Sequence, residues 1–392
     1  ISYNINEVNL TDLTWTSEKK EHANISIATG TSYLSAKKEG FTKITVKNKN
    51  GTVMASTYVT VFNYFDELNF GVANITASMY YGASDVCEKG RVVVSKNSSV
   101  KLIGESGDWF YISYPNADNM YVKKSDINYI TLDNRYVSVE KGKTLNAPSV
   151  KAHNFTDTFE WSSLDTSIAE VTKEGKITGK KQGYVKMEVR SKKYPSILTY
   201  IGVTVYEVPE IAYKATTNES VNVRLGGDKS TPIGFDIPKK ASVKVSRFST
   251  TWSYVTYGSK SGYVETKYLE YITLTPNFFD LAEGVTNSTF KVSGVQTHNW
   301  SSGQITLRSY YPSVATVSTA GEISGKTNGF TWMYAEANEG KIQTPFAVTV
   351  YKPFVFSGKA ITKGAVPIYR GGHVQTPQTY TSPKDSQVTV SR

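Results

Sequence analysis

The chain has 392 residues, with 44 Lys and Arg against 34 Asp and Glu, so its formal net charge is +10. No stretch approaches the roughly 18 consecutive apolar residues of a membrane-spanning helix, so we expect no membrane span. The single Cys excludes an intrachain disulfide or a thiolate zinc site, and four His leave little material for a metalloenzyme. We therefore expect no metal site and no cofactor, and the length predicts two or three domains at roughly 150 residues each.

The composition favours strands over helices. Tyr alone occurs 27 times, and aromatic and β-branched side chains pack well on a pleated sheet. Val185, Met187 and Val189 alternate with Tyr184, Lys186 and Glu188, which is the period of a half-buried strand. No window of ten or more residues keeps a helical apolar stripe. We predict an all-β chain of several domains.

A long internal repeat runs through the sequence. Val-Thr-Val occurs at 59–61, 203–205 and 348–350, and Tyr-Ile-Thr-Leu occurs at 129–132 and 271–274. The spacing is 144 residues from 59 to 203 and 145 from 203 to 348. Self-similarity at a fixed period indicates a tandem array of structural units. Each period divides into two unlike modules, which we call A and B.

Six modules are predicted, alternating A and B along the chain. In order they are A 1–63, B 70–132, A 133–207, B 210–274, A 275–352 and a partial B 356–392. The first A module lacks a counterpart of the strand that 135–139 provides in the second copy. The last B module stops before its Trp strand. We expect a piece of a longer repeat array, and the alternative is that a neighbouring chain completes the open sheet by strand addition.

The A modules share three sequence features. The second copy has Trp-Ser-Ser at 161–163, Ile-Ala-Glu-Val at 168–171 and Gly-Lys-Ile-Thr-Gly at 175–179. The third copy has corresponding features at 300–302, 314–317 and 321–325. The first copy lacks the Gly-x-Ile-x-Gly hairpin but keeps Trp15, Ile25, Ile27 and Gly40. These features resemble the group 2 bacterial immunoglobulin-like domain, and the resemblance implies a β-sandwich with one Trp buried between two sheets.

The B modules have a different set of signals. The second copy reads Val-Asn-Val-Arg at 221–224, Trp-Ser-Tyr-Val at 252–255 and Gly-Tyr-Val at 262–264. The first copy matches at 109–112 and 120–122 but has Ser-Met-Tyr-Tyr at 78–81 in place of the opening signal. These residues resemble the bacterial SH3-like domain, which implies a small β-barrel. The two resemblances imply immunoglobulin-like β-sandwiches that alternate with small SH3-like β-barrels in an extended array.

No set of residues is typical of an active site. The sequence contains no H-E-x-x-H, G-x-S-x-G, P-loop or G-x-G-x-x-G motif. Cys87 has no counterpart in the other B modules and no His near it in sequence, so we interpret it as structural. His153 and His298 precede a module A Trp by eight and two residues. Because these spacings differ, we interpret both as loop residues, and we expect the chain not to be an enzyme.

Aromatic side chains of the B modules are the candidate ligand-binding residues. They are Trp109, Tyr111 and Tyr121 in the first copy, and Trp252, Tyr254 and Tyr263 in the second. Such rings offer a large rigid area to sugar C–H faces or extended peptides. Strand alternation predicts Val255 and Val264 in the core and the second set of rings at the surface as a groove. The alternative is that half of these rings belong to the barrel core.

The positive charge is spread over the chain. Lysine pairs stand in predicted turns at 19–20, 123–124, 180–181, 192–193 and 239–240. They predict a solvated surface that discourages strand edges from pairing, or weak attraction to anionic cell-surface polymers. A basic stripe is missing, so we expect no nucleic-acid binding.

With the resemblances, the sequence predicts a non-catalytic extracellular repeat protein of a bacterial cell surface or a phage virion, acting as a surface-displayed spacer and as an adhesion or cell-wall- or glycan-binding protein. The immunoglobulin-like modules would be spacers. The SH3-like modules would be further spacers or would bind cell-wall peptidoglycan or surface glycans, as domains of this kind often do. One alternative is a structural subunit of a surface filament or phage fibre, which self-association would reveal. Another is the non-catalytic arm of a cell-wall hydrolase. Short Pro-bearing linkers such as 206–210 predict restricted hinges between the modules.

Overall fold

Strands and short turns make up the fold. The computed structural model describes residues 12–390 apart from 29–30, 285, 288–291, 293, 301–303 and 354–357. Within these ranges we find strands and two short 3-10 helices, Lys124–Asp126 and Thr266–Tyr268, but no α-helix. The all-β prediction is therefore confirmed. The described part also contains no helix with the length and apolarity needed to cross a membrane.

The strands up to residue 206 cover the first three predicted modules. The first A module contains β1 (Thr14–Ser17), β2 (Ala23–Ala28), β3 (Thr31–Ala36), β4 (Gly40–Lys47) and β5 (Val53–Val61). Strand β6 (Asn63–Ala73) runs from the end of the first A module into the first B module, which also contains β7 (Ala77–Tyr80), β8 (Lys89–Val94), β9 (Ser99–Ser106), β10 (Trp109–Ser113), β11 (Met120–Lys123) and β12 (Ile127–Leu132). The second A module contains β13 (Tyr136–Glu140), β14 (Thr144–Asn146), β15 (Val150–His153), β16 (Phe159–Ser163), β17 (Ala169–Val171), β18 (Lys176–Gly179), β19 (Gly183–Ser191) and β20 (Leu198–Tyr206).

The remaining strands repeat this series. The second B module contains β21 (Tyr213–Thr217), β22 (Val221–Arg224), β23 (Ile233–Ile237), β24 (Ser242–Ser249), β25 (Trp252–Tyr257), β26 (Lys260–Glu265) and β27 (Leu269–Thr273). The third A module contains β28 (Phe278–Ala282), β29 (Thr286–Asn287), β30 (Gln296–His298), β31 (Thr306–Ser309), β32 (Ala315–Val317), β33 (Ile323–Gly325), β34 (Gly329–Ala337) and β35 (Ile342–Tyr351). The third B module contains β36 (Gly358–Ile361), β37 (Val366–Tyr369), β38 (Gln378–Ser382) and β39 (Gln387–Val390).

The chain folds into two compact units, and the boundary between them runs through the second A module. The first unit contains the described residues up to Val137 together with Thr144–Thr178 and Val185–Val203. The second contains Ser138–Lys143, Gly179–Tyr184 and the described residues from Thr204 onward. The finer division into six modules stays a prediction, and we keep the module names for the residue ranges given above.

In the first unit, one sheet continues from the first B module into the second A module. Strands β6, β9, β10, β11, β7 and β8 are neighbours in that order, and β12 pairs with both β6 and β15. Tyr111 lies opposite Tyr121 in the β10–β11 ladder. Among the described strands no pairing joins β8 to β12, so hydrogen bonds do not close this sheet into the predicted barrel. The second unit repeats the arrangement, with β27 pairing both β21 and β30.

The cores follow the predicted alternation. Val185, Met187 and Val189 are buried along β19 while their neighbours are only partly so. Val255 and Val264 lie in the core of the second B module, as predicted. The Gly-x-Ile-x-Gly segment carries the buried Ile177, and Gly175 at its start has φ +94°, a value that favours glycine.

The third A module corrects one expected correspondence. Trp15 pairs with Val46 and Trp161 pairs with Val189, at matching places in their sheets. In the third A module, Leu307 occupies the strand position that corresponds to Trp161, and it pairs with Ala335. Trp300 lies before that strand and packs, half-buried, at the edge of the core. The motif match failed because Trp300 precedes the strand that corresponds to β16, and Ser301 and Ser302 lie outside the described residues.

Candidate functional site

A threonine at the end of each A module is hydrogen-bonded to the backbone of the following B module. In each case the threonine Oγ1 accepts from a backbone N–H group. The pairs are Thr60 with Ala83 (3.0 Å), Thr204 with Gly227 (2.9 Å) and Thr349 with Gly372 (2.9 Å). A Cβ on Gly372 would lie 2.6 Å from Cγ2 of Thr349, so the backbone packs closely against the threonine at this junction. The three junctions are thus held by the same contact.

The predicted rings of the first B module lie at the first of these junctions. Trp109 and Tyr121 are buried and Tyr111 is half-buried, and they form one cluster with Tyr80 and Phe62. The ring centroids of Phe62 and Tyr111 are 4.6 Å apart. The structure therefore brings the three predicted residues together, but it buries two of them under the end of the first A module.

The same burial corrects the expected surface position of two rings in the second B module. Tyr263 is 0% exposed and Trp252 only 7% exposed, whereas Tyr254 is half-buried. The Tyr263 hydroxyl donates to Oγ of Ser138 at 2.8 Å, and burial raises its pKa to about 12. Strand alternation correctly placed Val255 and Val264 on the face opposite the three rings. The outer face is buried because part of the second A module covers it.

An arginine distinguishes the second A–B junction from the first. The Arg247 guanidinium lies 4.6 Å from the ring centroid of Tyr206 and 4.7 Å from that of Tyr254, so it is held between two rings. Gly104 occupies the matching position of β9 in the first B module. Without a side chain there, Phe62 and Tyr111 meet directly.

An aromatic pocket of about 620 Å³ opens at the first A–B junction. We define it by Tyr58, Phe62, Tyr81, Tyr111 and Tyr121, with Asn119 and Glu88 as polar lining. Tyr58 and Tyr81 are 44% and 59% exposed. The sequence-based search missed both, because Tyr58 lies in an A module and Tyr81 has no aromatic counterpart in the second copy, where Leu225 occupies its place.

Cys87 lines this pocket as a half-buried free thiol. Desolvation raises the pKa of the thiol, which is the opposite of the shift that activates a nucleophilic cysteine. Nowhere in the described ranges do three or more His, Cys, Asp or Glu side chains gather as a metal site. The pocket offers stacking and hydrogen-bonding surface, and its thiol is shifted away from the reactive thiolate form.

The two histidines are equivalent, which corrects their interpretation as unrelated loop residues. His153 stacks on Tyr129 and His298 on Tyr271, each with ring centroids 4.4 Å apart. Nε2 of each lies 2.8 Å from a threonine hydroxyl, of Thr131 and Thr273. Each pair lies in the ladder that joins a B module to the next A module. The two histidines differ in their spacing to the following Trp only because Trp300 is not the counterpart of Trp161.

These histidines should make both units less stable in mild acid. Burial lowers the pKa of His153, helped by Lys151 and Lys124, and burial lowers the pKa of His298. The unfolded chain therefore binds more protons than the folded one as the pH falls through about 6.5. The histidine contribution to the free energy of unfolding is fully present above that pH and is lost as pH falls through the lower folded-state pKa.

The measurement is urea unfolding between pH 7 and 5, a window above the range where most carboxylates titrate. A His153→Phe, His298→Phe double variant keeps an aromatic ring against each tyrosine but cannot titrate. We expect its stability to fall less steeply with pH than that of the parent. Parallel pH profiles for parent and variant would contradict this prediction.

Comparison with solved structures finds similarity to bacterial surface proteins. Domains 4 and 5 of the S-layer protein SbsC are 14% identical, over 57% of this chain and 96% of that one, with a TM-score of 0.17. Domains 4–9 of the surface layer protein SbsC are 14% identical, over 93% and 62%, with a TM-score of 0.18. Invasin, a bacterial integrin-binding protein, is 10% identical, over 91% and 82%, with a TM-score of 0.16. TM-scores this low carry no argument about the arrangement or the function of the chain.

The family comparison concerns one region. No curated protein matches the chain. A family model does match one region, which includes most of the second A module. That module contains the Trp-Ser-Ser, Ile-Ala-Glu-Val and Gly-Lys-Ile-Thr-Gly features. Residues 126–196 match the family model of the bacterial Ig-like domain (group 2), as those features predicted.

Proposed function

We propose that the chain is a non-catalytic extracellular repeat protein that serves as a surface-displayed spacer and binds cell-wall or surface glycans. The observation that carries the spacer role is the recurring contact of Thr60, Thr204 and Thr349 with the next B module. A contact repeated at successive junctions restricts the hinge at each of them. The match of 126–196 to a bacterial Ig-like family supports placement at a bacterial surface.

The glycan-binding role is supported by the aromatic pocket. Its two exposed rings, Tyr58 and Tyr81, lie beside the amide of Asn119 and the carboxylate of Glu88. Aromatic faces pack against sugar C–H surfaces, and polar groups beside them accept or donate hydrogen bonds to hydroxyls. Among the six residues first predicted, Tyr111 and Tyr121 line this pocket.

The SH3-like character of the B modules belongs to this proposal. Both complete copies have seven short strands, and in both the last strand pairs with the first. Their cores are small and apolar. This arrangement supports a small, partly open SH3-like unit, and peptidoglycan is the wall polymer that the resemblance implies as its ligand.

Co-sedimentation of the whole chain with purified bacterial cell-wall sacculi tests the proposal. We expect the parent to pellet with the wall. A Tyr81→Ala variant should bind about fivefold more weakly, because loss of one stacked ring is worth roughly 1 kcal/mol. Tyr81 is exposed, so the variant should keep the parent's unfolding profile.

Leu225→Ala is the matched control, since Leu225 is exposed at the corresponding position of the second B module. It should bind as the parent does. If the parent stays in solution, wall binding is wrong and the filament alternative is favoured. Concentration-dependent association in sedimentation velocity would then support that alternative.

A further inference from the structure

A second pocket, distinct from the aromatic one, lies where the first B module meets the second A module. It measures about 610 Å³, and all of its lining belongs to the first unit. Four asparagines, two lysines and two aromatic rings line it: Asn74, Asn97, Asn128, Asn154, Lys96, Lys193, Phe155 and Tyr194. We call it the amide pocket. It shares no residue with the aromatic pocket.

Asn128 is the residue of the amide pocket that most needs an explanation. It lies on β12 and is only 4% exposed. Its Oδ1 is enclosed and has no hydrogen-bond partner among the described residues. Val72, its neighbour across the β6–β12 ladder, offers no polar side chain. A buried amide oxygen left unpaired is costly unless something else satisfies it, and Asn128 lines an open pocket.

The wall around Asn128 is fixed by two further amides. Nδ2 of Asn154 donates to the carbonyl oxygens of Lys124 (2.7 Å) and Ile127 (2.6 Å). Asn154 has φ +66°, a conformation that asparagine tolerates. Nδ2 of Asn74 donates to the carbonyl oxygen of Ser125 at 2.9 Å. These bonds tie the loop before β12 to both modules, so the pocket is formed before any ligand arrives.

The opposite side of the amide pocket combines rings with positive charge. Phe155 and Tyr194 are half-buried and meet edge to face, with ring centroids 5.6 Å apart. Nζ of Lys193 lies 5.4 Å from the Tyr194 ring centroid, and Lys96 is exposed. The nearby carboxylate of Asp157 accepts from the backbone N–H groups of Lys193 and Thr158 and from the Ser191 hydroxyl.

The second B–A junction provides a comparison within the same chain. Glu270 occupies the position of Asn128, opposite Thr216 in the equivalent ladder. Its carboxylate accepts from Oγ1 of Thr216 (2.9 Å) and pairs with Nζ of Lys240 (3.2 Å). The hairpin loop that carries Lys193 and Tyr194 is replaced by Asn338–Lys341, which has no aromatic residue. The second junction therefore satisfies its own buried polar group, and the first does not.

We propose that the amide pocket binds an anionic saccharide unit, a sugar or polyol that carries a carboxylate or a phosphate. Phe155 and Tyr194 provide the apolar contact with its C–H groups. Asn128 makes a hydrogen bond to a hydroxyl, and Lys96 and Lys193 bind the anionic group. This inference goes beyond the proposed glycan binding by the aromatic pocket and does not depend on it.

Isothermal titration of the whole chain with three defined probes tests the inference. They are tetragalacturonate, which carries carboxylates, a glycerol phosphate oligomer, which carries phosphates, and neutral maltotetraose. We expect one of the anionic probes to bind at least tenfold more tightly than maltotetraose, and added salt to weaken that binding. The better anionic probe identifies the anionic group. Equal binding of all three, or binding of none, would overturn the proposal.

Three variants locate the site. Asn128→Leu should weaken binding at least tenfold without lowering stability, because an unpaired buried amide is replaced by an apolar side chain of similar size. A purely structural role for Asn128 would lower stability and leave binding unchanged. Lys96→Glu should also weaken binding. Its matched control is Lys239→Glu, at the corresponding exposed position of the second copy, and equal loss in both lysine variants would overturn the assignment to this pocket.

Discussion

Replacing Trp161 with alanine should lower the free energy of unfolding of the first unit by about 3–5 kcal/mol, the usual cost of truncating a buried large aromatic side chain. Trp161 lies on β16, is 7% exposed and pairs with Val189 on β19. A Cβ on Gly175 would lie 3.0 Å from its Nε1, so the backbone packs closely against the ring. Little can move in to fill the cavity. Urea unfolding followed by far-ultraviolet circular dichroism measures the change.

Trp15→Ala is the comparison within the same unit. Trp15 occupies the corresponding strand position, opposite Val46, but it is only half-buried. Because less apolar area leaves water at this position, we expect a loss of about 1–2 kcal/mol. Equal losses for the two variants would show that burial in the second A module does not set the cost.

Much of the local structure could be predicted from the sequence. Alternation at 185–189 predicted the buried face of a strand, and the Gly-x-Ile-x-Gly hairpin of the resemblance corresponds to a turn at Gly175. These features depend on neighbours within a few residues. For the same reason Val255 and Val264 were placed correctly in the core.

The sites were harder to predict, because they depend on contacts between modules. Alternation assigns Tyr263 to the face opposite Val264, but it cannot show that Ser138 will cover that face. The amide pocket likewise brings together Asn74, Asn128 and Tyr194, which are far apart in sequence. The Trp-Ser-Ser match at Trp300 also misled the comparison of the histidines. A short motif can recur in a loop without marking the same strand.

Comparison of the repeats separates two kinds of junction residue. Thr60, Thr204 and Thr349 make the same contact in every copy, and Asn154 and Asn299 make equivalent bonds at the two B–A junctions. These residues hold neighbouring modules together. Other positions change between copies, as from Gly104 to Arg247 and from Asn128 to Glu270. The changing positions alter which side chains fill each junction.

Lys186→Ala should lower the free energy of unfolding of the first unit by about 3 kcal/mol, because it removes the cation that is paired with a buried carboxylate. Nζ of Lys186 lies 2.7 Å from Oε2 of Glu67, whose side chain is 3% exposed. Lys186 belongs to the second A module, and Glu67 lies on β6, between the first A module and the first B module. Lys186 itself is partly exposed, so we expect the lower end of the range known for broken buried pairs.

A double variant distinguishes the stabilisation that the Lys186–Glu67 ion pair provides from the penalty of leaving one charge buried and unpaired. Glu67→Leu with Lys186→Leu removes both charges, and we expect its stability to lie within about 1 kcal/mol of the parent, since apolar side chains of similar size often replace a buried ion pair without loss. The exposed pair of Lys173 and Glu160, 3.9 Å apart, provides the control. Lys173→Ala should change stability by less than about 0.5 kcal/mol. If the double variant loses as much as Lys186→Ala, the ion pair itself stabilises the junction; if it does not, the penalty of the single variant comes from the stranded carboxylate of Glu67.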